Sequence, residues 1–187
     1  LQTTLGARTE LAWSQGQRLP VLSGAVEIDR LRYTRPIQLG STLTDIYRHE
    51  RAEVAQYDPD KDRVAIDLRV MHRQPFKIEN NLMDAEVAIV DSERPFRIVG
   101  TDQRFGVLGT MSLHRGIVRF RDVAFDIREG EISFDDPNRV FPRFDVSAVT
   151  DIRRSGSLQQ NWHISLRATG TGESFAMRTR SDPYLSE

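Results

Sequence analysis

The sequence predicts a mainly β protein of about ten antiparallel strands with one amphipathic helix, on three observations. From residue 63 onward apolar and charged residues alternate with a period of two. The alternating segments recur about every 10–12 residues, separated by Gly, Pro, Asp or Asn, which is the spacing of an antiparallel meander. One stretch, 41–56, breaks that rule and carries its apolar residues at helical spacing.

Taken in order, residues 1–36 read as a β-hairpin region. Within it Gln17-Arg18-Leu19-Pro20-Val21-Leu22-Ser23-Gly24 resembles Gln103-Arg104-Phe105-Gly106-Val107-Leu108-Gly109 with one residue skipped. Beyond the shared glycine, Val26, Ile28 and Arg30 match Met111, Leu113 and Arg115. A repeat of this kind suggests an architecture that grows by adding β units. The helix is expected over 41–56, with Leu43, Ile46, Tyr47 and Val54 on one face and Thr42 with Asp45 as a capping pair. It stops at the turn Asp58-Pro59-Asp60.

Residues 63–187 read as the antiparallel sheet. Successive side chains of a strand point to opposite faces, so each segment has one oily and one charged side. The oily side takes Val64, Ile66, Leu68 and Val70, then Met83, Val87 and Ile89, then Val107, Met111 and Leu113. It continues with Val118 and Phe120, Phe125 and Ile127, Ile132 and Phe134, and Phe144 and Val146. Trp162, Ile164 and Leu166, then Phe175 and Met177, complete it. Arg63, Asp67, Arg69, Asp84, Glu86, Arg119, Arg121, Asp126, Arg128 and Arg167 face the other way. Breaks fall at Gln74-Pro75, Arg94-Pro95, His114-Arg115-Gly116, Glu129-Gly130, Asp136-Pro137-Asn138, Ser155-Gly156-Ser157 and Thr169 to Gly172.

Composition narrows the function. Lys plus Arg is 26 against 27 Asp plus Glu, a net charge of −1, which argues against a nucleic-acid surface. Cysteine is absent, which excludes thiol nucleophiles, disulfides and thiolate metal sites. No stretch approaches the roughly 18 apolar residues of a membrane span. Leu1 to Pro20 lacks the apolar centre of a secretory leader, and the chain reads as a piece of something longer.

Catalytic motifs fail one by one. Asp58, Asp60 and Asp62 copy half of a calcium loop, but Arg63 and Arg69 stand where glycine and glutamate are needed. His49-Glu50 begins like a zinc-protease helix, and Glu53 replaces the second histidine. His49, His72, His114 and His163 are far apart in sequence. The expectation is no enzyme, no metal and no cofactor.

The residues after Phe76 carry a resemblance. The chain reads Phe76-Lys77-Ile78-Glu79-Asn80-Asn81, then Gly109 to Gly116. Phe125-Asp126-Ile127-Arg128-Glu129-Gly130-Glu131-Ile132-Ser133-Phe134 follows, then Pro137 and Phe141-Pro142-Arg143-Phe144. It closes with Ser181-Asp182-Pro183-Tyr184-Leu185. This order resembles the C-terminal region of the TamB family, translocation and assembly module proteins related to AsmA. It departs from the family pattern at Arg104-Phe105-Gly106, where proline is common.

The resemblance implies an elongated antiparallel β-groove, taco-shaped, with an apolar lumen. It implies a periplasmic segment of a bridge between inner and outer membranes, anchored in the inner membrane by a part absent from this chain. Phospholipid transport and outer-membrane protein assembly or secretion are the implied roles. The implied partners are phospholipid acyl chains, neighbouring β segments of the same chain, and the Omp85-type outer-membrane barrel TamA through regions outside this sequence. The oily residues above then become the lining of a lipid groove. Alternation by itself equally allows a closed β-sandwich serving as an interaction or chaperone-like module. An open groove leaves unpaired edge strands that invite association.

Overall fold

The computed structural model describes residues 2–36, 57–120, 123–154, 160–171 and 174–183. The helix expected over 41–56 and the charged-face residue Arg121 lie outside them. The one helical turn among the described residues is the 3₁₀ turn Pro59–Lys61, where Asp58 Oδ1 accepts the Asp60 N–H at 3.1 Å.

All eleven strands belong to one sheet. They are β1 (Gln2–Ala12), β2 (Val21–Tyr33), β3 (Ala65–His72), β4 (Phe76–Glu79), β5 (Met83–Ile89), β6 (Arg97–Thr101), β7 (Phe105–Phe120), β8 (Val123–Phe134), β9 (Pro142–Arg154), β10 (Gln160–Thr171) and β11 (Phe175–Asp182). β5 pairs with β4, β6 pairs with β3, and both pair with β7. β3 and β4 therefore share one row and β5 and β6 the next, so eleven strands make nine rows. β1 and β11 form the two edges among the described residues.

The sheet is mixed, which corrects the expectation of a purely antiparallel one. β2 runs parallel to β3 and β4. The reason is connectivity: hairpins join antiparallel neighbours, whereas parallel ones need a crossover of a dozen or more residues. The chain between Tyr33 and Ala65 supplies that length. No second sheet faces the first among the described residues, so the sandwich alternative is set aside.

Near mid-strand the ladder slips along one line. Register shifts occur at Thr4/Leu5 opposite Ile28 and Arg30, at Glu86/Val87 opposite Leu113 and Arg115, and at Ile127/Glu129 opposite Ala148 and Ser147. The extra residues are Asp29, His114 and Arg128. The break between β3 and β4 falls at the same level, where the Arg73 N–H donates to the Ile28 carbonyl at 3.0 Å. A bulge bends its strand and moves the following residues to the other parity. On β7 the apolar residues are odd-numbered to Leu113 and even-numbered from Val118; on β8 they switch between Ile127 and Ile132. The slip in pattern and the extra residue cancel, so both arms of each strand keep their oily side on one face.

That face carries three apolar clusters. Phe76, Ala85, Val87, Leu113, Ile127 and Val146 lie along the bulge line and form the floor. Val70, Phe96 and Val107 occupy the lower arm, toward the start of β7. Phe125, Ala148 and Leu166 occupy the upper arm, toward its end. Val87 and Leu113 are 2% and 4% exposed. Burying a side chain of that kind is worth about 1.5–3 kcal/mol.

The sequence repeat is structural. Gly24 on β2 and Gly109 on β7 have φ of 140° and 123°, and each is followed at the same distance by its strand's bulge residue, Asp29 or His114.

Candidate functional site: an apolar groove

Cross-strand register shows which oily residues share a line. Leu68 pairs with Ile98, and Ile98 with Val107. One step along, Ile89 pairs with Met111, Met111 with Ile132 and Ile132 with Phe144. Leu113, Gly130, Val146, Ala168 and Met177 make a third line running to the far edge. On the upper arm Met83 pairs with Val118 and Val118 with Phe125, Phe120 with Val123, and Ile127 with Ala148 and then Leu166.

Of the residues read from alternation, Val70, Val87, Val107, Leu113, Phe125, Ile127, Val146 and Leu166 are buried. Val64, Ile66, Leu68, Met83, Ile89, Met111, Val118, Phe120, Ile132, Phe134, Phe144, Trp162, Ile164 and Met177 are half-buried. Phe175 pairs with Gly170 through its backbone. Sequence reasoning missed the buried Phe76 and Phe96 as members of this face, while the buried Ala85 and Ala148 fall in the alternation but not in the lining read from it. Phe76 and Phe96 each follow a proline that reads as a break.

The opposite face is laced with cross-strand ion pairs. Arg97 donates to Asp67 at 2.9 and 2.5 Å, and Arg167 donates to Asp145 at 3.0 and 2.7 Å. Arg73 reaches Glu27 at 2.8 Å and Asp29 at 3.2 Å, and Arg32 holds Glu79. The Arg167 guanidinium holds the Asp145 carboxyl below its usual range, and Arg73 does the same for Glu27. These pairs are solvent-exposed and each contributes about 0–1 kcal/mol. Their role is to keep that side wet and the other side inward.

The lower rim is tied by a polar chain. Asp102 accepts the N–H groups of Arg63 and Val64 at 2.9 and 3.1 Å, and the Arg63 N–H, with help from Gln103, brings its pKa down to about 2. Asp62 accepts the Tyr57 hydroxyl at 2.5 Å and the Thr101 hydroxyl at 2.9 Å, while Arg104 stacks over the Tyr57 ring at 4.1 Å. The half calcium loop is thus used in holding the turn together. Among the described residues no group of three or more His, Asp or Glu could hold a metal ion. His163 and Asp151, 2.8 Å apart, are an exposed cross-strand pair on the wet face.

What remains is a single sheet bent about a line, oily inside and charged outside. Residues 11–187 match the family model of the TamB C-terminal domain. The chain belongs to that family. Among curated proteins, none matches it. The TamB C-terminal domain is a structural and transport module, and membership gives the chain a role in the translocation and assembly module, alongside TamA. The family spans the periplasm, and among the described residues no helix is long and apolar enough to cross a membrane.

Proposed function

We propose that this domain is a length of hydrophobic conduit in the periplasmic bridge between inner and outer membranes. Its groove shields phospholipid acyl chains and supports outer-membrane lipid homeostasis and protein assembly. The residues from 63 onward form most of the conduit wall, and the hairpin of 1–36 extends it along one side. The half-buried side chains, Leu68, Met111, Val118, Phe120 and Ile164 among them, are the contacts for the chains. The observation that carries this reading is the continuous oily face of one bent sheet, with no second sheet laid against it among the described residues. Soluble proteins seldom leave an apolar patch of more than a few hundred Å² open to water, so such a face calls for an occupant.

The test is organic extraction and mass spectrometry of the purified protein beside a denaturant melt of Leu68→Arg, with Leu68→Ala as the size control. Near-stoichiometric phospholipid in the wild type is expected. The arginine stem can lie along the wall with its head toward the mouth, so the variant should lose about 1–2 kcal/mol and its lipid together. A lipid-free monomeric wild type whose Leu68→Arg variant does not fold would sink the conduit.

A further inference from the structure

One part of the oily face is built unlike the rest. Phe96 and Phe134 meet edge to face, ring centroids 5.6 Å apart and planes at 81°. They stand on opposite sides of β7, and at that level β7 carries Gly109, the direct partner of Phe134. A Cβ on Gly109 would lie 2.8 Å from the Phe96 Cα and 2.9 Å from its ring. The rings therefore bridge over a gap that only glycine leaves. Beneath them Val70 and Val107 are dry. At the rim the 135–141 loop crosses β7 so closely that a Cβ on Gly106 would lie 2.2 Å from the Asp136 carbonyl oxygen. Val140 from that loop packs into the same cluster. The loop is braced within itself, where Asp136 accepts Arg139 Nε at 2.7 Å, and tethered to the residue before β7, where Asn138 Oδ1 accepts Arg104 Nη2 at 2.7 Å.

We infer that Phe96, Phe134 and Val140 form a stop across the lower end of β7, between β6 and β8. Acyl chains lying on the floor and the upper arm then cannot run out over β7 and reach the lower rim only beside Leu68 on β3. This rests on the lipid-carrying reading and adds what sets how much chain the groove takes. Apart from Phe76 the floor is aliphatic, and the unbranched Met83 and Met111 packed against it can repack around a guest. The stop is a perpendicular aromatic pair seated on a glycine and clamped by a tethered loop. To enter there, a chain would have to part the rings and lift the loop.

The test compares phospholipids extracted from the wild type, Phe134→Ala and Phe120→Ala. Removing the stop should shift the acyl profile toward longer chains and raise lipid per protein. Removing Phe120, a wall residue of the upper arm, should lower lipid per protein instead. Phe134→Leu, which keeps an apolar side chain and a fold closer to native, carries the same reading if the alanine variant does not fold, with a smaller shift of the same sign. A lipid-loaded wild type with an unchanged profile in folded Phe134→Ala or Phe134→Leu overturns the stop and leaves the conduit standing. A lipid-free wild type overturns the conduit, and the stop falls with it.

Discussion

The floor of the groove and strand β1 carry the same alternation and have opposite fates. Val87 and Leu113 are 2% and 4% exposed, whereas Leu5 and Leu11, equally apolar and on the same face, are 53% and 61% exposed. The difference is company. Leu113 has β5 on one side and β8 on the other, and it packs in the floor cluster with Phe76, Val87, Ile127 and Val146. β1 has β2 on one side and, among the described residues, nothing on the other. Alternation therefore states which face a residue takes, and the number of rows around it states whether that face is dry.

The largest effect should come from a charge. Leu113→Arg places an uncompensated cation in the floor and should cost about 4–5 kcal/mol, a large share of the roughly 5–15 kcal/mol that holds an ordinary domain folded. Leu11→Arg should stay within about 0.5 kcal/mol. Chemical melts of the two side by side would end the comparison if the costs were similar. Next come the glycines. Gly109→Ala combines a left-handed φ with the collision at Phe96 and should cost about 2–3 kcal/mol, whereas a Cβ on Gly6 of β1 meets nothing within 4 Å, so Gly6→Ala should change stability by less than about 0.5 kcal/mol. Smaller again is a cavity: Val87→Ala should cost about 2 kcal/mol and Leu5→Ala close to none, read from thermal midpoints.

The smallest effect is a pH slope. Burial, with the nearby His114, depresses the His72 pKa, and His72 pairs with Ile28 beside the floor. A depressed histidine favours folding in its neutral form. That contribution is whole above the unfolded value of about 6.5 and is lost as pH falls from there through the lower folded value. Melts of the wild type and His72→Gln across that range should show the extra slope in the wild type alone. Asp102 works on the same sign further down: its share is whole above 3.8 and disappears as pH drops through about 2, a loss that Asp102→Asn should abolish in acid titrations.

Much of this was legible beforehand. Alternation placed Leu113, Ile127 and Leu166 on one face because a strand can bury only every second residue. The likeness of Gln17–Gly24 to Gln103–Gly109 pointed to repeated β units, and both strands carry the glycine and the bulge. His114-Arg115-Gly116 and Glu129-Gly130 read as breaks but lie inside the continuous strands β7 and β8, where a bulge takes the slip in pattern without ending the strand. The row order was hidden because β2 meets β3 through a crossover whose length, unlike a hairpin's, fixes no partner. Phe96 was hidden because Pro95 reads as a break, and its importance depends on a glycine in another strand.

The line of bulges also bears on how such chains can change over generations. Within an arm, gaining or losing one codon would turn every later side chain of the strand inside out, so surviving length changes there should come in pairs. At Asp29, His114 and Arg128 the ladder already absorbs an odd residue. Single-codon gaps between descendants of this domain should gather along that seam, tracing the groove floor in the gene.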